Sequence, residues 1–462
     1  MSRFLLVSLN IQAILQEPIQ ARRLKRLTEM TDGLGLEDAY GATIERIKAQ
    51  GGGKSRLGMA ALMWISHAER PLMADELCQA LAIELGSLDF DADNVPSRSM
   101  VADCCQGLIA VDKEASTVRL IHFTLQEYLS AHHDIFATPH TAMSETCLTY
   151  LNSAEVKAIS ADPTPDIRDT PFLEYCSVYW GAHAKKEPSD RTISLSLKLL
   201  QQYDGHISGK LLLDQARHLY VEDFSVSFRF NGLHCASLFG IVEVAYALIQ
   251  KGICDINDGD FGGYTPLAWA ARNGHDKMVI MLLGWEMINP DKPDSSGYTP
   301  LSHAAGRGHE AVVKILLGRG EVNPHRPNNH GLTPLSCAAH SGHEGVVKIL
   351  LELEVNPDQA NCVGVTPLSG AARNGHEGVV KMLLWREDVD PNKPNNYGST
   401  PLSCAAHNGH EGVVKILLER EDVDPGRPNC VGMTPLMFAA RHGHDRVMAL
   451  LEPHKPIARN PV

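Results

Sequence analysis

Six Gly-His dipeptides, Gly274-His275, Gly308-His309, Gly342-His343, Gly375-His376, Gly409-His410 and Gly443-His444, are the most repeated chemistry-bearing residues of the chain. Imidazole is a good zinc ligand, but a zinc centre needs three or four donors converging on one point. Here the histidines come singly, at an almost constant interval along the chain. Each is expected to open a helix and turn into the loop of its own segment, so no metal site is expected among them.

The string GGGKS, Gly51 to Ser55, has the look of a phosphate loop. That motif needs a glycine five residues before Gly53, where Lys48 stands, and it should follow a strand and open a helix. The string follows a helical stretch and reads as a turn between helices. His122 and Glu127 could be imagined as an acid-base pair, yet in HFTLQEYL they belong to a hairpin-to-helix junction, with Thr124 and Glu127 expected as a capping box. The acidic loop ADPTPDIRD, from Ala161, fixes no carboxylate geometry, and the basic ARRLKRL, from Ala21, reads as a solvated helix face. Eleven cysteines are dispersed with no CxxC pair, as free buried thiols in a reducing compartment would be. No catalytic residue, cofactor or metal is expected.

The elements that carry the Gly-His pairs can be read from a second landmark. Thr-Pro begins at Thr265, Thr299, Thr333, Thr366, Thr400 and Thr434, an interval constant to within one position, and always nine before the Gly-His glycine. Threonine offers an N-cap oxygen and proline suits the first helical position, so Thr-Pro opens a short helix carrying an Ala-Ala pair. Glycine stops it. A second helix follows, with Val413, Val414, Ile416, Leu417 and Leu418 on a wide apolar face in the unit that starts at Thr400. Between Glu310, Glu344, Glu377, Glu411 and the lysines four residues on, Lys314, Lys348, Lys381 and Lys415, solvent-face ion pairs are expected. A turn-rich tail closes each unit. Such units bury their apolar faces only by stacking.

This pattern resembles the ankyrin repeat, two antiparallel helices followed by a projecting hairpin loop. Asn231 stands one full interval before Thr265 and heads a degenerate first unit, giving seven repeats. The resemblance implies that a protein partner is gripped by the hairpin tips and the exposed end of each first helix, along a concave surface. Carried onto this chain, those positions include Phe261, Tyr264, Arg272, Tyr298, Arg307, His330, His340, Arg373, Tyr397, His407 and Arg441. A row of Arg and His beside apolar and aromatic tips suits an acidic, partly apolar protein segment. One departure is the position after Thr-Pro-Leu, often His in the family and here Ala268, Ser302, Ser336, Ser369, Ser403 and Met437. A weaker lock between adjacent hairpins is expected from it.

The chain before Arg229 lacks the period. Helical stretches from Leu36 to Leu85 are followed by two β-prone runs, GLIAV and TVRLIHF, around the turn DKEAS, which reads as a winged-helix-like module. The runs SRLGMAALMWISHAERPLMADELCQAL, STVRLIHFTLQEYLS and TPFLEYCSVYWGAHA resemble the region that follows the NACHT-type nucleotide-binding domain in fungal STAND proteins, the NOD-like receptor analogues. That resemblance implies a regulatory region coupled to a sensing repeat array, as in the C-terminal sensor portion of such an NTPase with the nucleotide-binding domain absent. The fold class expected is mostly α, an ankyrin solenoid after a helical, winged-helix-like region. The expected division is 1–35 a helical remnant, 36–135 winged-helix-like, 136–228 a helical connector, 229–455 the repeats and 456–462 a tail.

Charge narrows the functions further. The segment 1–230 holds 22 basic against 30 acidic side chains and the rest 20 against 25, so neither half offers the cationic face that nucleic acid requires. The apolar run at the N-terminus is shorter than a signal peptide's core, and no membrane-spanning stretch occurs. A non-enzymatic interaction protein of the cytoplasm, or of the nucleus, is the expectation.

Overall fold

The computed structural model describes residue 22 and residues 36–85, 92–112, 114–159, 169–217 and 229–454. Apart from residue 22, the expected helical remnant and the ARRLKRL patch lie outside the described residues, as do the tail and most of ADPTPDIRD. The chain divides into two compact units, Met1–Val226 and Ser227–Val462.

In the first unit, α1 (Leu36–Ala49) buries Ala39, Tyr40, Ile44 and Ile47, one helical stripe. α2 (Gly52–His67) starts inside the GGGKS string. Gly51 and Gly52 have φ of 74° and 51°, and Gly52, Gly53, Lys54 and Ser55 form the first helical turn, where a free turn was expected. The good helix formers of SRLGMAALMW, once nucleated, extend the helix back over the glycines. Then come β1 (Leu72–Met73), α3 (Ala74–Ala82), α4 (Arg98–Cys104), β2 (Ile109–Val111), β3 (Thr117–Leu120) and α5 (Phe123–Ala131).

The wing is a three-stranded antiparallel sheet in the order β1-β3-β2, with Leu72 opposite Val118 and Ile109 opposite Leu120. The short β1 was not legible as a strand. At α5 the cap comes earlier than expected: His122 is the N-cap, and its Nδ1 accepts the Thr124 N–H at 3.3 Å.

Four longer helices continue this unit: α6 (Pro139–Leu151), α7 (Phe172–Lys186), α8 (Asp190–Leu200) and α9 (Ile207–Arg217). Trp64 of α2 packs edge-on against Phe172 and Tyr175 of α7, with centroids 5.4 and 5.9 Å apart. Gln79 of α3 accepts the Phe172 N–H and donates to the Asp169 carbonyl. The wing and the helices after it therefore share one core.

The second unit is seven helix pairs in series. The first helices are Gly232–Phe239, Pro266–Arg272, Pro300–Arg307, Pro334–Ser341, Pro367–Asn374, Pro401–Asn408 and Pro435–His442. The second helices are Val242–Gln250, Asp276–Leu283, Glu310–Leu317, Glu344–Leu351, Glu377–Leu384, Glu411–Leu418 and Asp445–Leu451. Each Thr-Pro threonine caps its helix. Thr299 Oγ1, for example, accepts the Ser302 N–H at 3.2 Å, a cap worth about 1 kcal/mol. The glycine that ends the helix is left-handed, as at Gly342 with φ 80°. First helices pack on first helices and second on second, burying Val312, Val313 and Leu316 and their equivalents.

Candidate partner-binding surface

The hairpins are built by side chains that stand in for backbone. Asp260, Asp294, Asn328, Asn361, Asn395 and Asn429 each accept two backbone N–H groups across their own turn, Asn328 those of His330 at 2.9 Å and Leu332 at 2.8 Å. Neighbouring tips are bonded in turn: Ser295 N–H donates to Gly262, Asn329 to Ser296, Cys362 to His330, Asn396 to Val363 and Cys430 to Tyr397, all at 2.9–3.0 Å. A weaker lock between hairpins, expected from serine in place of histidine, is therefore made good by this ladder. Serine takes a local role, its Oγ lying 3.1 Å from the cap oxygen in the Thr299–Ser302 pair. The family's histidine does occur once, as His234 of the degenerate repeat, whose Nε2 donates to the Asp258 carbonyl at 3.1 Å.

The Gly-His histidines point elsewhere than expected. His309 Nε2 donates to the carbonyl of Arg272 in the preceding repeat at 2.9 Å, and His275, His343, His376, His410 and His444 do the same to Leu238, Gly306, His340, Arg373 and His407. The ring covers the preceding repeat's glycine: a Cβ on Gly342 would stand 2.5 Å from His376 Nδ1. These imidazoles are staples between repeats. Their acceptors are the orphan carbonyls at first-helix ends, four of the six on residues singled out for partner contact.

Those residues fall into two groups. In the first, Tyr264 lies between Trp269 and His303, 5.1 and 4.7 Å away by ring centroid, and Tyr298 is 5.5 Å from His303. The Arg272 guanidinium sits 5.8 Å over the Tyr264 ring. Burial raises the Tyr264 phenol and pushes Tyr298 up to about 12, so both stay neutral hydrogen-bonding groups. In the second, burial and the nearby Arg373 lower His340, while burial, His442 and Arg373 lower His407. The His407 ring stands 5.4 Å from Phe438 and 4.2 Å from His442. Arg307, His330, His340, Arg373, Tyr397, His407 and Arg441 are exposed, and Phe261 is half-buried at its tip.

The column four positions after each Thr-Pro threonine was not anticipated as a working part of the hairpins. It holds Trp269, His303, Cys337, Gly370, Cys404 and Phe438. Trp269 Nε1 donates to Asp260 Oδ2 at 3.1 Å and His303 Nε2 to Asp294 Oδ2 at 2.9 Å. The hairpin residue is Asp in the repeats whose helix offers a donor and Asn where it offers Cys, Gly or Phe. That pairing was the signal available. Trp385 was missed too: it is 89% exposed after a second helix, beside a shallow apolar hollow lined by Leu351 and Met382 between Lys348 and Lys381. Of the four Glu-Lys pairs, the ion pair closes at Glu411–Lys415, at 2.5 Å. Glu310, Glu344 and Glu377 instead lie over Gly345, Gly378 and Gly412 of the next repeat, where a missing side chain leaves room.

Comparison with known proteins fits this geometry. The family described as "Ankyrin repeats (3 copies)" matches residues 208–294, 285–361 and 368–460, more than half of the chain. The chain is an ankyrin-repeat protein. Its first unit matches "GPI inositol-deacylase, winged helix domain" over residues 44–137. The chain is 46% identical over 54 residues to human "Transient receptor potential cation channel subfamily A member 1", a stretch that is 11% of this chain and 5% of that protein's length. The human ASB11 ankyrin repeat domain, a crystal structure, is 26% identical, covers 50% of this chain and 99% of its own, and superposes with a TM-score of 0.44. Among the described residues of this ankyrin-repeat protein, no helix is long and apolar enough to cross a membrane.

Proposed function

We propose that this ankyrin-repeat protein is a non-enzymatic interaction protein whose repeats bind an acidic, partly apolar segment of a protein partner, with the winged-helix unit as the regulatory element coupled to that binding. The observation that carries it is the run of exposed His340, Arg373, His407 and Arg441 at first-helix ends, with Tyr397 at a tip beside them. Arg373 and Arg441 supply the positive charge of this row, while His340 and His407, lowered by burial and by nearby cations, offer neutral hydrogen-bonding groups beside it, a combination that suits a carboxylate-bearing segment. Full-length protein and an Arg373→Glu/Arg441→Glu variant, each immobilised, test the reading against cell extract. A partner held by the wild type, lost in the variant and weakened by salt supports it; a partner indifferent to both changes overturns it.

A second reading rests on the winged-helix match at 44–137. In it the chain is the sensor arm of a NACHT-type signalling NTPase. An in-frame phosphate-loop exon upstream of Met1, or a nucleotide-binding protein recovered with the chain, would favour this reading over the first.

A further inference from the structure

Three side chains distant in sequence converge inside the first unit. Glu69 follows α2, His140 lies in the first turn of α6 and His183 in the last turn of α7, and one ligand atom from each falls within 4.8 Å of the other two. His140 Nδ1 and His183 Nδ1 face each other at 2.8 Å, and His183 Nδ1 is 3.9 Å from Glu69 Oε1. We propose that Glu69, His140 and His183 bind a divalent transition-metal ion, zinc being the best fit.

Two facing imidazole nitrogens at this distance share one proton between them. Replacing that proton by an ion with bonds of about 2.0–2.1 Å requires the donors to open to about 3.3 Å, a side-chain adjustment well under 1 Å for the His pair. His183 is fully buried, so its ring is held in place by the surrounding core. Its far nitrogen is already oriented: Nε2 lies 2.9 Å from the Tyr175 hydroxyl, which also accepts the Glu69 N–H at 3.1 Å. With Nε2–H donated to Tyr175, the Nδ1 lone pair faces the site, the outer-shell arrangement that metal-bound histidines use. Glu69, with a side chain 24% exposed, leaves the entry side open. Lys186, whose ammonium lies 2.5 Å from Glu69 Oε1, is the competitor; being half-exposed, it can turn to water when the ion takes the carboxylate. The neighbouring His67 is engaged elsewhere, its Nδ1 2.8 Å from Ser66 Oγ. The bound ion would fasten the loop after α2 to α6 and α7.

The test is metal uptake by the full-length protein after chelation, titrated with zinc and with cobalt as a spectroscopic probe. One equivalent is expected, weakened at least tenfold by His140→Gln and by Glu69→Gln and tightened by Lys186→Met. Because His183 is buried and its replacement can unfold the unit, Tyr175→Phe serves as the second probe and should weaken binding about tenfold. No uptake, or uptake unchanged in His140→Gln and Glu69→Gln, overturns the proposal. So does uptake lost in His442→Gln instead, since that would place the ion at the close His407–His442 pair of the last repeats.

Discussion

His410 Nε2 donates to the carbonyl oxygen of Arg373, in the preceding repeat, at 2.9 Å. Arg373 is one of the residues proposed to meet the partner, so the staple between the fifth and sixth repeats also holds the backbone of the binding row. His410→Ala should cost about 1 kcal/mol for the lost bond, more if the carbonyl is left dry. In a repeat array the loss acts on one interface, so the last repeats should melt ahead of the rest. A urea transition that broadens or splits is the expected result, followed by far-ultraviolet circular dichroism. His410→Gln, which can still donate, should recover part of it.

Gly342 gives a sharper test of the same contact. Its φ is 80°, and a Cβ would stand 2.5 Å from His376 Nδ1. Gly342→Ala should lose about 1–2 kcal/mol from the left-handed backbone alone, and more from the displaced ring. Gly320→Ala is the control, because a Cβ there meets nothing within 4 Å. Its stability should stay within about 0.5 kcal/mol of the wild type. Equal effects at the two positions would refute the staple.

The repeats were legible because Thr-Pro, Ala-Ala and Gly-His each encode one local event: a cap, a close helix contact and a helix stop. What the imidazole does next was not, since its acceptor belongs to another unit and no single repeat displays it. The Glu-Lys spacing misled for a similar reason, as Gly345, Gly378 and Gly412 open room for the glutamates in the following repeat. GGGKS was read from its glycines, whereas the helix-forming residues after it decide. In the first unit, Glu69, His140 and His183 carry no spacing signal; only the packing of α2, α6 and α7 brings them together.

Acid should weaken the repeats through His234. Burial pushes this imidazole down from 6.5 to about 4, the Asp258 carbonyl opposing only in part. Between those two values the unfolded chain takes up a proton that the folded one refuses, so stability is full above pH 6.5 and falls as pH drops towards 4. Each pH unit in that window changes the folding constant by up to about tenfold. Burial holds His206 near 4 as well, with the same sign in the first unit. Urea midpoints measured at pH 7.5 and 5 should therefore fall, and fall less in His234→Gln. A midpoint that rises on acidification would contradict the assignment.

Asp260 and Asp294, the hairpin carboxylates bonded to a first-helix side chain, should respond differently to amide replacement. Asp260 Oδ2 accepts from Trp269 Nε1, and an indole nitrogen can only donate. In Asp260→Asn, with the other oxygen held by the Gly262 and Tyr264 N–H groups, an amide NH2 would face that donor. Two donors buried face to face cost about 1–3 kcal/mol. Asp294 accepts from His303, but a neutral imidazole can move its proton to the other nitrogen and accept instead. Asp294→Asn should therefore lose less than Asp260→Asn. Trp269→Phe removes the offending donor, so in the Asp260→Asn background it should cost less than it does alone, a coupling that a double-mutant cycle measures. Purely additive losses would mean that the indole bond does not set the choice between Asp and Asn at this position.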